Sequence, residues 1–597
     1  MPITSRNKLT ALALAAALFF PLTIAQLAAQ APASQPHDPW WKHGIIYEVY
    51  PRSFQDTNGD GIGDINGITS RLGYLQSLGI DAIWITPMYP SPQVDFGYDI
   101  SNYTAIDPLY GTMADFDHLM VEAKQHHIRV IMDYVPNHTS DQNAWFKKSR
   151  SSRTNPKRTW YIWNSGIPAS TAHLTALQLK NEHTGPSGKV VPPNNWQSWF
   201  GGSAWQWDSG TKQFYYHYFY VQQPDLNWRN PEVQKAMLNV LRFWMNKGVS
   251  GFRIDAVSRL FEDPQLRNDP SLPGTNAFGD PNIVHKYTDD LPEVHDMLRA
   301  MRAVVNKYPG DPVLISEADE PTVADLSKMY GKHNDEVQLP MDFQVADINQ
   351  LSVAKFRTYI DQVEHNPAHG QPYFFFGNHD QDRLWDRYSA GVTNPAMKER
   401  IARIMATLLL TSRCTPQLYY GDEIGMVTTT PTRKQDVKDP EGITGWPKEK
   451  GRDGERTPMQ WSASKDAGFS TAAKTWLPIP PSYFTTNVKV ESAEPNSLLN
   501  WYKRLIELRR TNPALIDGTM KMIATSNNNI LAYIRTAAGH TVLVAMNFTG
   551  KRQDLDLHED GGNEVHTLST DDPNLTNIVP HKILTLAPYA TYIGEAK

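Results

Sequence analysis

Gly251-Phe252-Arg253-Ile254-Asp255-Ala256-Val257 reads as the end of a buried strand, where an apolar run stops and two charges alternate. Arg253 and Asp255 stand two residues apart, so on a strand both face the same side. A charged pair on an otherwise apolar strand is costly unless the pair does something. The arginine favours the ionised aspartate and aims it. A fixed, ionised carboxylate at a strand end suits attack on the anomeric carbon of a sugar. A structural ion pair capping the strand would be spelled the same way, so the heptapeptide alone leaves both readings open.

The flanking sequence supplies the frame. Strand-like stretches at 44–50, 81–86, 128–135, 249–255, 313–317, 337–343, 373–376 and 417–420 alternate with helical ones at 67–78, 113–127, 231–247, 292–308, 323–330, 353–362 and 396–411. A further helix is expected at 498–510. Eight strands alternating with helices predict an α/β fold, a parallel (β/α)8 or TIM barrel. Residues 139–224, rich in Trp, Asn, Gly and Pro, are too many for a bare loop and predict a small inserted domain after the third strand. The barrel is therefore expected in two parts, 38–138 and 225–512. Short alternating runs at 530–534, 541–546, 583–586 and 592–593 predict a C-terminal antiparallel β-sandwich over 513–597.

The 597 residues exceed one ordinary core, which agrees with a large domain plus smaller ones. A formal charge of -6 without a long basic run argues against nucleic acid and anionic membranes as partners. Cys414 is the sole cysteine, so no intrachain disulfide is possible. Arg6 and Lys8, the apolar stretch Leu9–Ile24 broken by Pro21, and Ala29-Gln30-Ala31 have the layout of a signal peptide over 1–31. The protein is thus expected to be exported, periplasmic or secreted, with no membrane attachment after cleavage.

In a barrel of this kind the site lies at the C-terminal strand ends. The third predicted strand ends in Asp133-Tyr134-Val135-Pro136-Asn137-His138, the fourth in Arg253 and Asp255, the fifth in Ser316-Glu317, and the seventh runs on to Asn378-His379-Asp380. Carboxylates at four strand ends weaken the structural reading. This set resembles the α-amylase superfamily of retaining glycoside hydrolases (family 13), from about Trp40 to the C-terminus.

The resemblance implies Asp255 as nucleophile, Glu317 as general acid/base and Asp380 as the grip on the sugar's 2- and 3-hydroxyls. It implies that Arg253 orients the nucleophile, that His138 and His379 bind the sugar, and that Asp133 and Asn137 support the third strand. Such chemistry needs an acid on the leaving oxygen and a carboxylate below the ring, about 5 Å apart for retention. Glu317 should be raised in pKa by burial and neighbouring carboxylates, while Asp255 stays ionised beside Arg253.

Asp95-Phe96-Gly97-Tyr98-Asp99 is similar to the pocket-closing loop of the family's α-glucosidases, implying that Asp95 binds terminal glucose hydroxyls and Tyr98 stacks under the ring. The stretch 451–461, GRDGERTPMQW, resembles a signature of the oligo-1,6-glucosidase, maltase and trehalose-synthase group, with Arg456 carried over as sugar-binding. A blocked pocket implies exo action that releases glucose from short α-glucosides. Ala256, after the nucleophile, is neither the valine nor the threonine that accompanies a linkage preference in this group.

Asp56-Thr57-Asn58-Gly59-Asp60-Gly61-Ile62-Gly63-Asp64 spaces oxygen ligands like the start of an EF-hand but has Gly67 at the twelfth position, where Glu belongs. It resembles instead the group's calcium or magnesium loop, with Asp56, Asn58, Asp60 and Asp64 as side-chain ligands and Ile62 as a carbonyl ligand. The ion would be structural, and no organic cofactor is implied. Trehalose synthase or another transglucosylase is the nearest alternative. A non-catalytic relative, such as a transporter subunit, would lack the carboxylates and carry a membrane helix.

Overall fold

Eight short apolar runs form the barrel strands: β1 Ile46–Val49, β2 Ala82–Ile85, β3 Arg129–Tyr134, β4 Gly251–Ile254, β5 Val313–Ser316, β6 Leu339–Pro340, β7 Tyr373–Phe374 and β8 Thr415–Tyr419. The computed structural model describes residues 38–596 apart from 367–369, 524, 526, 558–564, 573 and 576–582. The expected signal peptide lies outside the described residues. Trp40–Lys597 group as one unit.

The strands pair in parallel in the order β6-β5-β4-β3-β2-β1-β8-β7. A single parallel bridge, Met341 to Tyr373, joins the two ends of that order and closes the barrel. Alternation along each strand sorts its side chains. Ile46, Trp84, Ile131, Val313, Ile315 and Tyr373 fill the interior, while Tyr47, Ile83, Val130, Phe252, Ile254 and Leu314 join the core shared with the helices. Leu314 is fully buried, so Leu314→Ala would cost about 2–5 kcal/mol. Arg253 takes its turn on the inner face of β4, its guanidinium 4.9 Å from the Trp84 ring centroid. Gly251 is required where β4 begins: φ is 150° and a Cβ would stand 2.1 Å from the Val313 carbonyl oxygen.

The helices follow from their caps. Thr112 and Asp115 form a reciprocal capping box on Met113–Gln125. Asn230 caps Pro231–Asn246, whose first residue needs no N–H partner. The single helix expected over 67–78 is two, Ile65–Ser70 and Leu72–Leu78, because Arg71 leaves helical geometry and Asp64 caps an earlier start. The sixth strand is shorter than expected: beyond Pro340 only Met341 still pairs, and the Asp342 carboxylate caps the helix Phe343–Ala346. The hairpin Ser271–Thr275 with Pro281–Ile283 had no signal in the sequence.

Between β3 and Pro231 the chain builds two three-stranded antiparallel sheets. Trp196, Trp205, Phe214, Tyr216 and Tyr218 form a local core there. After the barrel, a five-stranded antiparallel sheet packs with the two-stranded sheet of Gln553–Asp556 and Ile583–Leu586. One sheet face (Ala532, Leu543, Ala545) belongs to that sandwich core, and the other (Leu531, Tyr533, Val544) packs on the barrel side. Among the described residues no helix is long and apolar enough to cross a membrane.

Candidate active site

The ends of β4 and β5 are stitched together by backbone. Glu317 N–H donates to the Ile254 carbonyl at 2.9 Å, and Val257 N–H to the Glu317 carbonyl at 3.2 Å. Ala256 then turns into the left-handed region at φ 45°, a costly conformation for a residue with a Cβ. That turn sends its N–H to Glu317 Oε2 at 2.9 Å.

One guanidinium gathers the acids. Arg253 donates from Nη1 to Asp255 Oδ1 at 2.5 Å, lies 3.3 Å from Asp133 Oδ1, and pairs from Nη2 with Glu317 Oε1 at 2.7 Å. Asp255 and Glu317 thus stand within hydrogen-bonding reach of each other. That is closer than the 6.5–9.5 Å of an inverting carboxylate pair. Arg253 was expected to orient Asp255; in the structure its one positive charge serves Asp255, Asp133 and Glu317 together. Burial pushes Glu317 up to about 8, Asp255 and Asp380 adding to it and Arg253 opposing. Burial also lifts Asp255, to about 7, against the pull of Arg253. The shared proton therefore resides on Glu317 in preference to Asp255.

Beyond β7, Asp380 accepts from Arg452 Nη1 at 2.9 Å and Arg456 Nη2 at 2.7 Å. Burial works against its charge, yet the guanidiniums of Arg452, Arg456 and Arg253 hold it well below the usual carboxylate range. Burial keeps His379 neutral, between Glu48 Oε1 at 2.6 Å and the Tyr98 hydroxyl at 2.7 Å. The Tyr98 ring stacks on it at 5.4 Å and 8°. Asn137 gives its NH2 to the Arg259 carbonyl, which turns its oxygen toward His138 Nδ1. Nδ1 of His138 therefore carries the proton and Nε2 accepts from Gln223. Burial pushes His138 down to about 3. Asp95 accepts from Arg452 at 3.0 Å and from Gln223 at 3.0 Å.

A cavity of about 340 Å³ joins these groups, lined by Asp95, Tyr98, His138, Asp255, Glu317, His379 and Asp380. Residues 48–518 match the α-amylase catalytic-domain family, and 520–593 the maltogenic amylase C-terminal domain. The chain belongs to the α-amylase family of glycoside hydrolases. It is 38% identical over 533 residues to a probable α-glucosidase of Rhizobium meliloti, covering 88% of this chain and 92% of that protein. It is 41% identical over 537 residues to maltase 1 of Drosophila virilis, covering 87% and 80%. A trehalulose synthase from Pseudomonas mesoacidophila has a similar structure, with TM-score 0.83, 36% identity, and 94% and 100% coverage.

Of the residues predicted at the sugar, two do not line the cavity. Arg253 lies beneath it, fully buried. Arg456 was expected at the sugar but sits behind Asp380, donating also to the His379 carbonyl at 2.6 Å. Arg452, which sequence reasoning passed over, takes the lining position and bridges Asp95, Asp380 and Asp439. Both arginines lie in GRDGER, and their spacing carries no sign of which one reaches the cavity. Glu48 was missed too, since a lone acid in a strand of apolar neighbours has no motif around it.

The 56–64 loop offers hard oxygen donors, a set whose chemistry fits calcium or magnesium. Asp56 accepts from Gly59, Gly61 and Ser470; Asp64 accepts from Thr57 and Gly67; Asn58 and Asp60 bond each other and the turn. Asp56, Asp60 and Asp64 do not bring their oxygens within 4.8 Å of one another. Closing round an ion would require exposed Asp60 to swing inward and Ile62 to offer its carbonyl.

Proposed function

We propose that this enzyme is a retaining, exo-acting α-glucosidase that releases glucose from the non-reducing end of short α-glucosides. The observation that carries the reading is the Arg253 fork, which holds two carboxyls of unequal acidity together at one end of the cavity. Asp255 attacks the anomeric carbon as Glu317 passes its proton to the departing oxygen. The C1–O bond breaks, an ester to Asp255 forms, and the aglycone leaves. Glu317, now ionised, takes a proton from water, which displaces Asp255 and restores the α configuration. Asp380 and Asp95, held by Arg452, grip the glucose hydroxyls, with Tyr98 and the neutral His138 and His379 walling the ring.

A second reading is favoured by the fold shared with the trehalulose synthase: the glucosyl group is returned to a sugar instead of to water. The retained carboxylates Asp255, Glu317 and Asp380 speak against a non-catalytic relative. The purified protein incubated separately with maltose, isomaltose, sucrose and trehalose decides the matter. Glucose with the α anomer formed first supports the glucosidase; trehalose from maltose, or a new isomer from sucrose, supports the isomerase. The 56–64 loop, with Asp56, Asn58, Asp60, Ile62 and Asp64 as ligands, would hold a structural calcium or magnesium ion that takes no part in the chemistry. Export rests on the composition of residues 1–31, and N-terminal sequencing of protein recovered outside the cytoplasm tests it.

A further inference from the structure

Trp199 is a large apolar side chain left 45% exposed, yet it lines the same cavity as Asp255 and Glu317. An isolated exposed tryptophan needs no explanation. This one is held rigidly. Its backbone N–H donates to the Tyr218 carbonyl at 2.8 Å, and its ring stacks on Tyr218 at 6.4 Å and 24°. Arg259 lies over both rings, 5.9 Å and 5.0 Å from their centroids. On one side Ser198 Oγ donates to the Phe219 carbonyl at 2.6 Å. On the other, Gly201 and Gly202 turn at φ 88° and 81°, and Gly202 N–H donates to Asp280 Oδ2 at 2.6 Å. Phe278 packs so tightly on Gly201 that a Cβ there would meet its ring at 2.6 Å. The 271–283 hairpin thereby braces the turn that offers the indole.

We propose that Trp199 is a stacking platform for the sugar beyond the scissile bond, the leaving aglycone or incoming acceptor of the α-glucosidase reading on which this inference rests. A pyranose presents a face of C–H groups that an aromatic ring can cover, while its hydroxyls find acceptors in Asp319, Asp347 and Glu441 on the same lining. The indole stays rigid at little entropic cost because its loop is already fixed. Trp199 touches the aglycone only, so it acts on recognition and on the choice between water and a sugar acceptor.

The test compares substrates with and without a sugar aglycone. For Trp199→Ala, kcat/KM for maltose and maltotriose is expected to fall about tenfold. The value for α-glucosyl fluoride, whose leaving group needs no platform, is expected to stay within about twofold of wild type. The fraction of glucosyl groups transferred to added maltose falls with it, and Trp199→Phe recovers most of both. Equal losses on fluoride and maltose, or no loss on either, would overturn the platform. If the wild-type enzyme released neither fluoride nor glucose from any α-glucoside, the glucosidase reading would fall instead.

Discussion

Replacing Glu317 by glutamine isolates the proton donor. The amide keeps the volume and can accept the Ala256 N–H that now reaches Oε2 at 2.9 Å, but its NH2 then faces Arg253 Nη2 in place of Oε1. That lost acceptor should cost about 1–3 kcal/mol of fold stability. Turnover of maltose, whose leaving oxygen requires a proton, should fall by about 10²–10⁴, the usual worth of a positioned general acid. α-Glucosyl fluoride leaves as an anion and should lose less than about tenfold by the same reasoning. The pH profile adds a second reading. Burial and the neighbouring Asp255 and Asp380 raise Glu317 to about 8, so its proton is present below that value and lost above it. The wild-type profile of kcat/KM should fall on the alkaline side near there, and that limb should vanish in Glu317→Gln. Steady-state rates on both substrates across pH 5–10 provide the measurement. Equal losses on maltose and fluoride, with the alkaline limb intact, would show that the proton comes from another group.

Asp255→Ala should abolish turnover on every substrate. The thermal midpoint should not fall, because a carboxyl raised to about 7 by burial weakens the fold once it ionises; measurable turnover, or a collapsed midpoint, would refute this. Arg452→Met removes the bridge between Asp95 and Asp380 and should cost about 1.5–3 kcal/mol in kcat/KM for maltose. Asp380, held far below its ordinary range, contributes stability that is fully present above the ordinary carboxylate pKa and is given up as pH falls from there toward its folded pKa. Saturating calcium should raise the thermal midpoint by the equivalent of about 2–3 kcal/mol relative to chelator. Identical melting curves in calcium and chelator would mean that the 56–64 turn is held by its own amides.

The fold was legible because its code is local and repeated. Each barrel strand is an apolar run bounded by turn residues, and the helices between them announce their caps, as Thr112 and Asn230 do. Strand ends were less legible, since a cap such as Asp342 acts through a hydrogen bond to the helix that follows. The cavity carboxyls Asp255, Glu317 and Asp380 stood out because each lies just past the end of an apolar run. What escaped was what lies at right angles to the chain. Whether Arg452 or Arg456 reaches the cavity depends on how residues 451–456 pass behind Asp380. The division of Arg253 among three acids depends on barrel closure, which brings Asp133, Asp255 and Glu317 to one guanidinium.

The barrel is fastened unevenly. Six of its eight staves run four residues or more, but the two at Leu339–Pro340 and Tyr373–Phe374 are stubs that meet through one bridge, Met341 to Tyr373. Amide exchange in that stretch should outpace the rest of the ring, as the shortest ladder opens first. Phe343 follows one strand of this seam and Asp380 the other, and both line the cavity. Opening there would loosen that part of the cavity wall before it disturbed the stitched ends of β4 and β5.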